Sequence, residues 1–340
     1  MKVTRSRRGS FSDALLPNTD SINQAGLNDA GLNTTTFTVA NGGRFRVGDL
    51  LQPAGSREVM LVTGVTGNSV TVTRGYGGST KSALEHNMGL AILGNAALEG
   101  QDAPAARFTN RIRKSNFTQI FTASVEVSGT EAAVRQIAVD DEMNYQKTLR
   151  LRELLRDLEN TVINGIAPTT DPQGSATVRR TMRGIMASIQ TNAMTPGTGL
   201  IPSGTDLTED HLNAALRTIW QTTSSRIDTI VVNGGLKRRI NNFLMTMQRY
   251  PGDAERIKRL VSAYESDYGV CRIVLSRYVP ADTVLFLDSS RISVLPLIGR
   301  SFAFKPLATT GDYESGEIVG EYTLEMRNEA AHGLLRGLAV

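Results

Sequence analysis

Two groups of residues have the types and spacing that could hold an anion. Residues 234–239 read GGLKRR and follow the apolar run IDTIVVN. A Gly-Gly turn opening a helix there would aim free N–H groups, with Lys237, Arg238 and Arg239, at a phosphate or at the carboxylates of a neighbouring copy. Cations in a first helical turn oppose the helix dipole unless such an anion is present. A solvated basic face is the plainer reading of the same residues, and both stay open. The second group is VTGVTGNSVTVTRGYGG at 62–78. A phosphate loop needs closely spaced glycines with a helix directly after. No register of Gly64, Gly67, Gly75, Gly77 and Gly78 fits that form, and Lys81 is followed by Ser-Ala-Leu. The flanks alternate instead: Val70 and Val72 face one way and Thr71 and Thr73 the other, with Gly67-Asn68 suited to a two-residue hairpin turn.

Other reactive types are scattered. Asp140-Asp141-Glu142 is the densest carboxylate group, but a hard cation needs oxygens from several segments, and a solvated helix face explains it better. His86, His211 and His332 match no zinc spacing. The chain has one cysteine, Cys271, in the strand-like GVCRIVL, where a small buried hydrophobe is expected. No G-x-S-x-G singles out a nucleophile. Thus no catalytic residue, metal or cofactor is expected. Basic residues cluster at Lys2, Arg5, Arg7 and Arg8 and again at Arg107, Arg111, Arg113 and Lys114, where contacts to phosphates would need no sequence code.

The elements that would position these groups follow from pattern. The chain has 340 residues, 40% of them hydrophobic and 21% charged, which suits a globular protein with a substantial core. A formal charge of +4 is too mild to mark a nucleic-acid binder. Its distribution is uneven. Residues 235–260 are strongly basic, whereas 310–340 carry Asp312, Glu314, Glu317, Glu321, Glu325 and Glu329. Opposite local signs suit contacts between copies of one chain, or two solvated faces. No apolar run reaches the length of a membrane span and no secretory signal opens the chain, so a soluble protein made in a cytoplasm is expected.

Residues 1–34 are polar and without period. Residues 35–95 alternate as TTFTVA, FRVGDLL, EVMLVTGV, SVTVTRG and MGLAILG, a small antiparallel β unit. An extended basic segment runs to 128. The Ser128–Glu131 capping box opens a helix to Asn164, with Gly165 as a left-handed stop: a rod of about 50 Å, with a break near Asp140 left open. TMRGIMASIQTNAM reads as a further helix. So does the stretch after Glu209, with Leu212, Ala215, Leu216, Ile219 and Trp220 on its core face. LKRRINNFLMTM is another, its core face made by Leu236, Ile240, Phe243, Leu244 and Met247. The runs CRIVLSRYV, TVLFLD, RISVLPL and FAFKPLA read as strands. The class is α+β.

This order, with the phrases EGQDAPAARFTNRIRKSNFTQIFTASVEVSGTEAAV, LRDLENTVINGI, RRTMRGIMASIQTN and GEYTLEMRNEAAHGLLRGL, resembles the tailed-bacteriophage major capsid proteins of the Hong Kong 97 fold over about residues 98–340. The resemblance implies an N-terminal arm (1–34), an E-loop region enlarged by the β unit (35–128), and a P-domain (129–223, with a spine helix 129–164, and 301–340). It implies an A-domain at 224–300. It also implies an icosahedral shell of pentamers and hexamers around packaged double-stranded DNA, assembled in the host cytoplasm, with no catalytic chemistry. A separate scaffolding protein, a portal and a decoration protein are the implied partners. Lys2, Arg5, Arg7, Arg8, Arg111, Arg113, Lys114, Lys237, Arg238 and Arg239 become candidates for contacts between subunits or with DNA. The alternatives are an encapsulin-type compartment shell and a phosphate-binding enzyme built on residues 233–239.

Overall fold

A computed structural model describes residues 18–27, 29–103, 114–133, 141–223, 226–247, 263–308 and 310–339. The chain divides into two compact units, Ala14–Asn110 and a larger one from Arg111 onward.

The smaller unit is a six-stranded antiparallel sheet in the order β1-β6-β3-β4-β5-β2. Its strands are β1 (Thr19–Ser21), β2 (Thr36–Thr38), β3 (Asp49–Pro53), β4 (Met60–Thr66), β5 (Ser69–Thr73) and β6 (Gly89–Asn95). Ile22 bridges Val39 antiparallel, and Asn23 N–H donates to Thr38 O, so the two edge strands meet and the sheet closes on itself. Closure removes the open edges on which another chain would pair. The alternation read from sequence holds: Met60, Val62, Val70 and Val72 are buried in one core with Phe37, Leu51 and Leu90. Gly67, at φ 58°, makes the turn of the β4–β5 hairpin. The glycines of 62–78 therefore serve turns.

The polar opening of the chain needs correcting. Residues 18–34 are not a bare arm: β1 pairs with β6, Ile22 is wholly buried, and Asp29 reaches an ion cluster that periodicity does not reveal. There Arg74 gives Nε and Nη2 to the two oxygens of Glu58 at 2.7 and 2.8 Å, and Nη1 to Asp29 Oδ2 at 2.8 Å. All three side chains are buried. Glu58 also accepts from the Ser82 and Gly75 N–H groups, so the charges taken out of water are fully bonded.

The larger unit has two sheets. One runs β10-β11-β9-β12-β16-β8. These are β8 (Ala193–Met194), β9 (Thr229–Val232), β10 (Ala263–Ser266), β11 (Gly269–Leu275), β12 (Val284–Leu287) and β16 (Gly333–Leu335). Its central strands are covered on both faces, which is why VLFL reads as an unbroken apolar run. Val284 and Phe286 enter one core with α4 (Glu209–Thr222) and α5 (Gly234–Met247), while Leu285 and Leu287 enter the other. The second sheet is built on β15 (Tyr313–Met326). It pairs with β7 (Gln119–Ser128) on one side, and with β13 (Ile292–Pro296) and β14 (Ala303–Pro306) in succession on the other. Leu154, Leu158 and Ile163 of α2 (Glu142–Asn164) pack in the second core with Phe121, Val125 and Ile318.

Four helix expectations change. The spine is not one rod from 129 to 164. After the short α1 (Gly129–Ala133), α2 begins afresh at Glu142, because Asp141 is an extended N-cap whose carboxylate accepts the Asn144 N–H at 3.0 Å. Its 23 residues span about 35 Å. Gly165 is not left-handed (φ −55°). A Cβ there would stand 2.4 Å from Thr161 O and 2.6 Å from Met182 O, so the glycine admits a close approach of backbone. The stretch 181–194 gives a single helical turn, α3 (Ile185–Ser188), before β8. Trp220 is 60% exposed, not core, although Leu212, Ala215, Leu216 and Ile219 face inward as expected. Leu236 and Ile240 are buried, while the side chains of Phe243, Leu244 and Met247 lie outside the described set, as do Val134 and Ile137.

Candidate functional site

The anion candidate at 233–239 changes character. Gly234 and Gly235 are the first residues of α5, not a turn ahead of it, and the helix begins directly after β9. The Lys237 N–H already donates to Asn233 O at 2.9 Å. Arg239 Nη1 lies 2.5 Å from Asp206 Oδ1, so one of the three cations finds its anion in its own chain. Arg238 is exposed and Lys237 half-buried. The phosphate-enzyme alternative keeps its strand and helix N-terminus but not the Gly-Gly turn between them.

Lys114 belongs to a different cluster. Its Nζ is 3.7 Å from Glu329 Oε1, beside a cavity of about 370 Å³ that Asn116, Arg183 and Gln190 also line. Burial pushes the Glu329 carboxyl up, but bonds from Gln190 N–H and from Thr191 Oγ1 and N–H, with Lys114 nearby, hold it below its ordinary range. Lys2, Arg5, Arg7, Arg8, Arg111 and Arg113 lie outside the described residues.

Most of the remaining described reactive types make contacts within their own chain. Asp141 caps α2 and Glu142 accepts from Gln146 Nε2 at 2.7 Å; Asp140 is not described. Among the described residues no three His, Cys, Asp or Glu side chains gather as a metal site. No described helix is long and apolar enough to cross a membrane. His86 is exposed, and buried His211 bonds Thr208 Oγ1 and Gly204 O. His332 is fully buried: its Nδ1 accepts the Asp288 N–H at 3.2 Å, while Nε2 has no hydrogen-bond partner. Burial lowers its pKa to about 4. Cys271 is buried and its thiol pushed up to about 11 by desolvation, which makes it inert.

Three of the six acidic residues of the C-terminal segment are paired within the chain. Glu325 pairs with Arg327, Glu329 with Lys114, and buried Glu321 with two arginines. That leaves Asp312 and Glu314 exposed and Glu317 partly so, which weakens the expectation of an acidic face opposite the basic α5. Glu321 instead organises a groove that sequence reasoning missed. Its Oε1 meets Arg180 Nη2 at 2.5 Å and Thr118 Oγ1 at 2.5 Å, and Oε2 meets Arg300 Nε at 3.0 Å. The groove, about 980 Å³, is lined among others by Ile120, Val178, Arg179, Arg180 and Arg300. The available signal was Arg179-Arg180 after a Pro- and Gly-containing loop, but nothing local to 321 marked it as their partner.

Large apolar side chains also lie open: Ile120 (50%), Tyr145, Leu155, Ile166 (75%), Trp220 and Ile298 (82%). Individually exposed apolar residues are ordinary on a folded surface and by themselves mark no interface.

Known proteins are similar to this chain over most of its length. The model of the family described as SU10 major capsid protein matches residues 10–339. The major capsid protein of Escherichia phage Phieco32 is 25% identical over 288 residues, 71% of this chain and 80% of that one. Among solved structures, a chain of Microbacterium phage Oxtober96 is similar at 13% identity and a TM-score of 0.48, covering 86% of this chain and 87% of that one. The SrpI encapsulin of Synechococcus elongatus PCC 7942 is similar at 11% and 0.48, covering 67% and 78%. At these identities and scores the structural likenesses carry no argument; the family match does, because it runs through both units almost from end to end. The chain belongs to the SU10 major capsid protein family and is a phage major capsid protein, a component of the virion shell.

Proposed function

We propose that copies of this chain close into an icosahedral shell around packaged double-stranded DNA, on a Hong Kong 97-type plan and without catalytic chemistry. On this reading the larger unit supplies the body of the subunit. Residues 129–223 and 301–340 form the peripheral P-domain with α2 as its shortened spine, and 224–300 form the axial A-domain around pentamer and hexamer centres. The closed β unit is an outgrowth of the E-loop, and the part of the chain ahead of it is the arm. A separate scaffolding protein, a portal and a decoration protein act as partners. Exposed Arg238 and half-buried Lys237, with Lys2, Arg5, Arg7, Arg8, Arg111 and Arg113, serve contacts between subunits or with DNA phosphates, while Lys114 and Arg239 also bond within their own chain.

The observation that supports this best is the family match over residues 10–339. The encapsulin alternative has no comparable support. The test is expression of the chain alone and then with its neighbouring genes, followed by sedimentation velocity. Capsomers or shells in either preparation are expected. A monomer in both would contradict the reading.

A further inference from the structure

We infer that residues 18–95 form a self-contained module, locked by its own buried ions at one end, joined to the rest of the chain at the other, and dispensable for folding of the larger unit. This holds whether or not copies of the chain close into a shell. Strand pairing sets the two ends. With β1-β6-β3-β4-β5-β2 antiparallel throughout, the β1–β2, β3–β4 and β5–β6 connections gather at one end of the closed sheet. The chain enters β1 and leaves β6 at the opposite end, side by side. Thr19 pairs with Ala91 there, and Ile92 N–H donates to Asn18 O at 2.7 Å. Among the described residues, the buried members of this core all lie between Ile22 and Leu90.

The Arg74 cluster ties together all three connections at the first end. Arg74 Nη1 reaches Asp29 and, at 3.0 Å, Thr34 O in the β1–β2 connection, while Nε and Nη2 hold Glu58 in the β3–β4 connection. Arg74 itself opens the β5–β6 connection. From the same connection Ser82 N–H donates to Glu58 at 2.7 Å, Leu84 N–H donates to Asp29 at 3.2 Å, and Ser82 O accepts from Arg74. None of the three can open without leaving a buried charge unpaired, which is costly, so they open together. Dense coupling inside and a single seam to the chain outside make a cooperative unit. The larger unit, for its part, builds its described sheets and both its cores from residue 119 onward.

The test uses the full chain and hydrogen–deuterium exchange read by mass spectrometry. Arg74→Met should speed exchange at least about a hundredfold, by a similar factor in peptides from every strand of the module. Peptides from 141–223 and 263–339 should be unchanged. Glu58→Gln, a milder cut of the same cluster, should give the same pattern at smaller amplitude. Arg46→Ala removes a half-exposed partner of Asp49 and should change neither set by more than about fivefold. In a second arm, residues 19–92 are replaced by Gly-Ser-Gly between Asn18 and Leu93, and the shortened chain should keep the unfolding transition of the larger unit. Faster exchange confined to the three connections would overturn the lock, and so would no change at all. Exchange that spreads into the larger unit, or a shortened chain that fails to fold, would overturn the separate module.

Discussion

Glu321 meets Arg180 at 2.5 Å with both side chains at least nine-tenths buried, whereas its second partner, Arg300, is half in solvent. The two bonds share a carboxylate but not an energy. Removing one member of a buried pair leaves an uncompensated charge, at about 3–5 kcal/mol, while an exposed pair is worth about 0–1 kcal/mol. Glu321→Gln should therefore lower the unfolding temperature sharply and Arg300→Ala only slightly. Thermal unfolding of the two variants side by side is the check, and equal effects would show that the ranking by burial is wrong.

The Arg74 cluster of the β unit should make the chain acid-labile. Desolvation alone would raise Asp29, but bonds from Arg74 and Thr34 bring it down to about 2, and Glu58 is likewise lowered despite burial. Carboxylates depressed in the folded state add stability that is present above their unfolded values near 4 and is lost as pH falls toward the folded ones. Unfolding temperature should drop steeply between about pH 4 and 2. Arg74→Met, which leaves two buried carboxylates without their cation, should be destabilised at pH 7 and show a shallower acid slope.

His332 acts in a higher window. Its folded pKa of about 4 lies below the ordinary 6.5, so as pH falls through 6.5 the unfolded chain binds a proton that the folded chain refuses. Stability should decline from about pH 6.5 to 4 by up to about 1.4 kcal/mol per pH unit. The Asp288 N–H donated to Nδ1 favours the same neutral ring. Comparing wild type with His332→Gln at pH 7 and pH 5 isolates this part, and identical pH losses in both would exclude it.

Trp220 offers a reading free of titration. It is the one tryptophan of the chain and meets Tyr268 at a tilted angle of 46° with ring centroids 5.8 Å apart, while remaining 60% exposed. Trp220→Phe should cost under about 1 kcal/mol, against about 3–5 kcal/mol for truncating a core aromatic. Emission from the isolated subunit should be that of a solvated indole. A large loss of stability would return Trp220 to the core position its helical spacing suggested.

That residue shows where the sequence stops being legible. Helical spacing places Trp220 beside the stripe of Leu212 and Ile219, yet in the same last turn of α4 Ile219 is wholly buried while Trp220 is 60% exposed. Strand alternation did better. The β4–β5 hairpin and the doubly covered β12 both read directly, because their side-chain period is local. The break at Asp141 was half legible, since a capping carboxylate and a solvated helical one look alike until the backbone angle is known. The pairings of Arg74 with Asp29, of Arg180 with Glu321 and of Arg239 with Asp206 were invisible. Each joins segments tens of residues apart, and charge in a sequence carries no record of its partner.

The central claim is that this chain is the repeating subunit of a closed shell, and imaging assembled material tests it most directly. Cryo-electron microscopy of the full chain, purified after expression with its neighbouring genes, should show closed icosahedral particles. The larger unit, with its β7–β15 sheet and α2, should fit as the repeating density. Particles absent under every condition, or a shell whose density cannot hold that unit, would contradict the account.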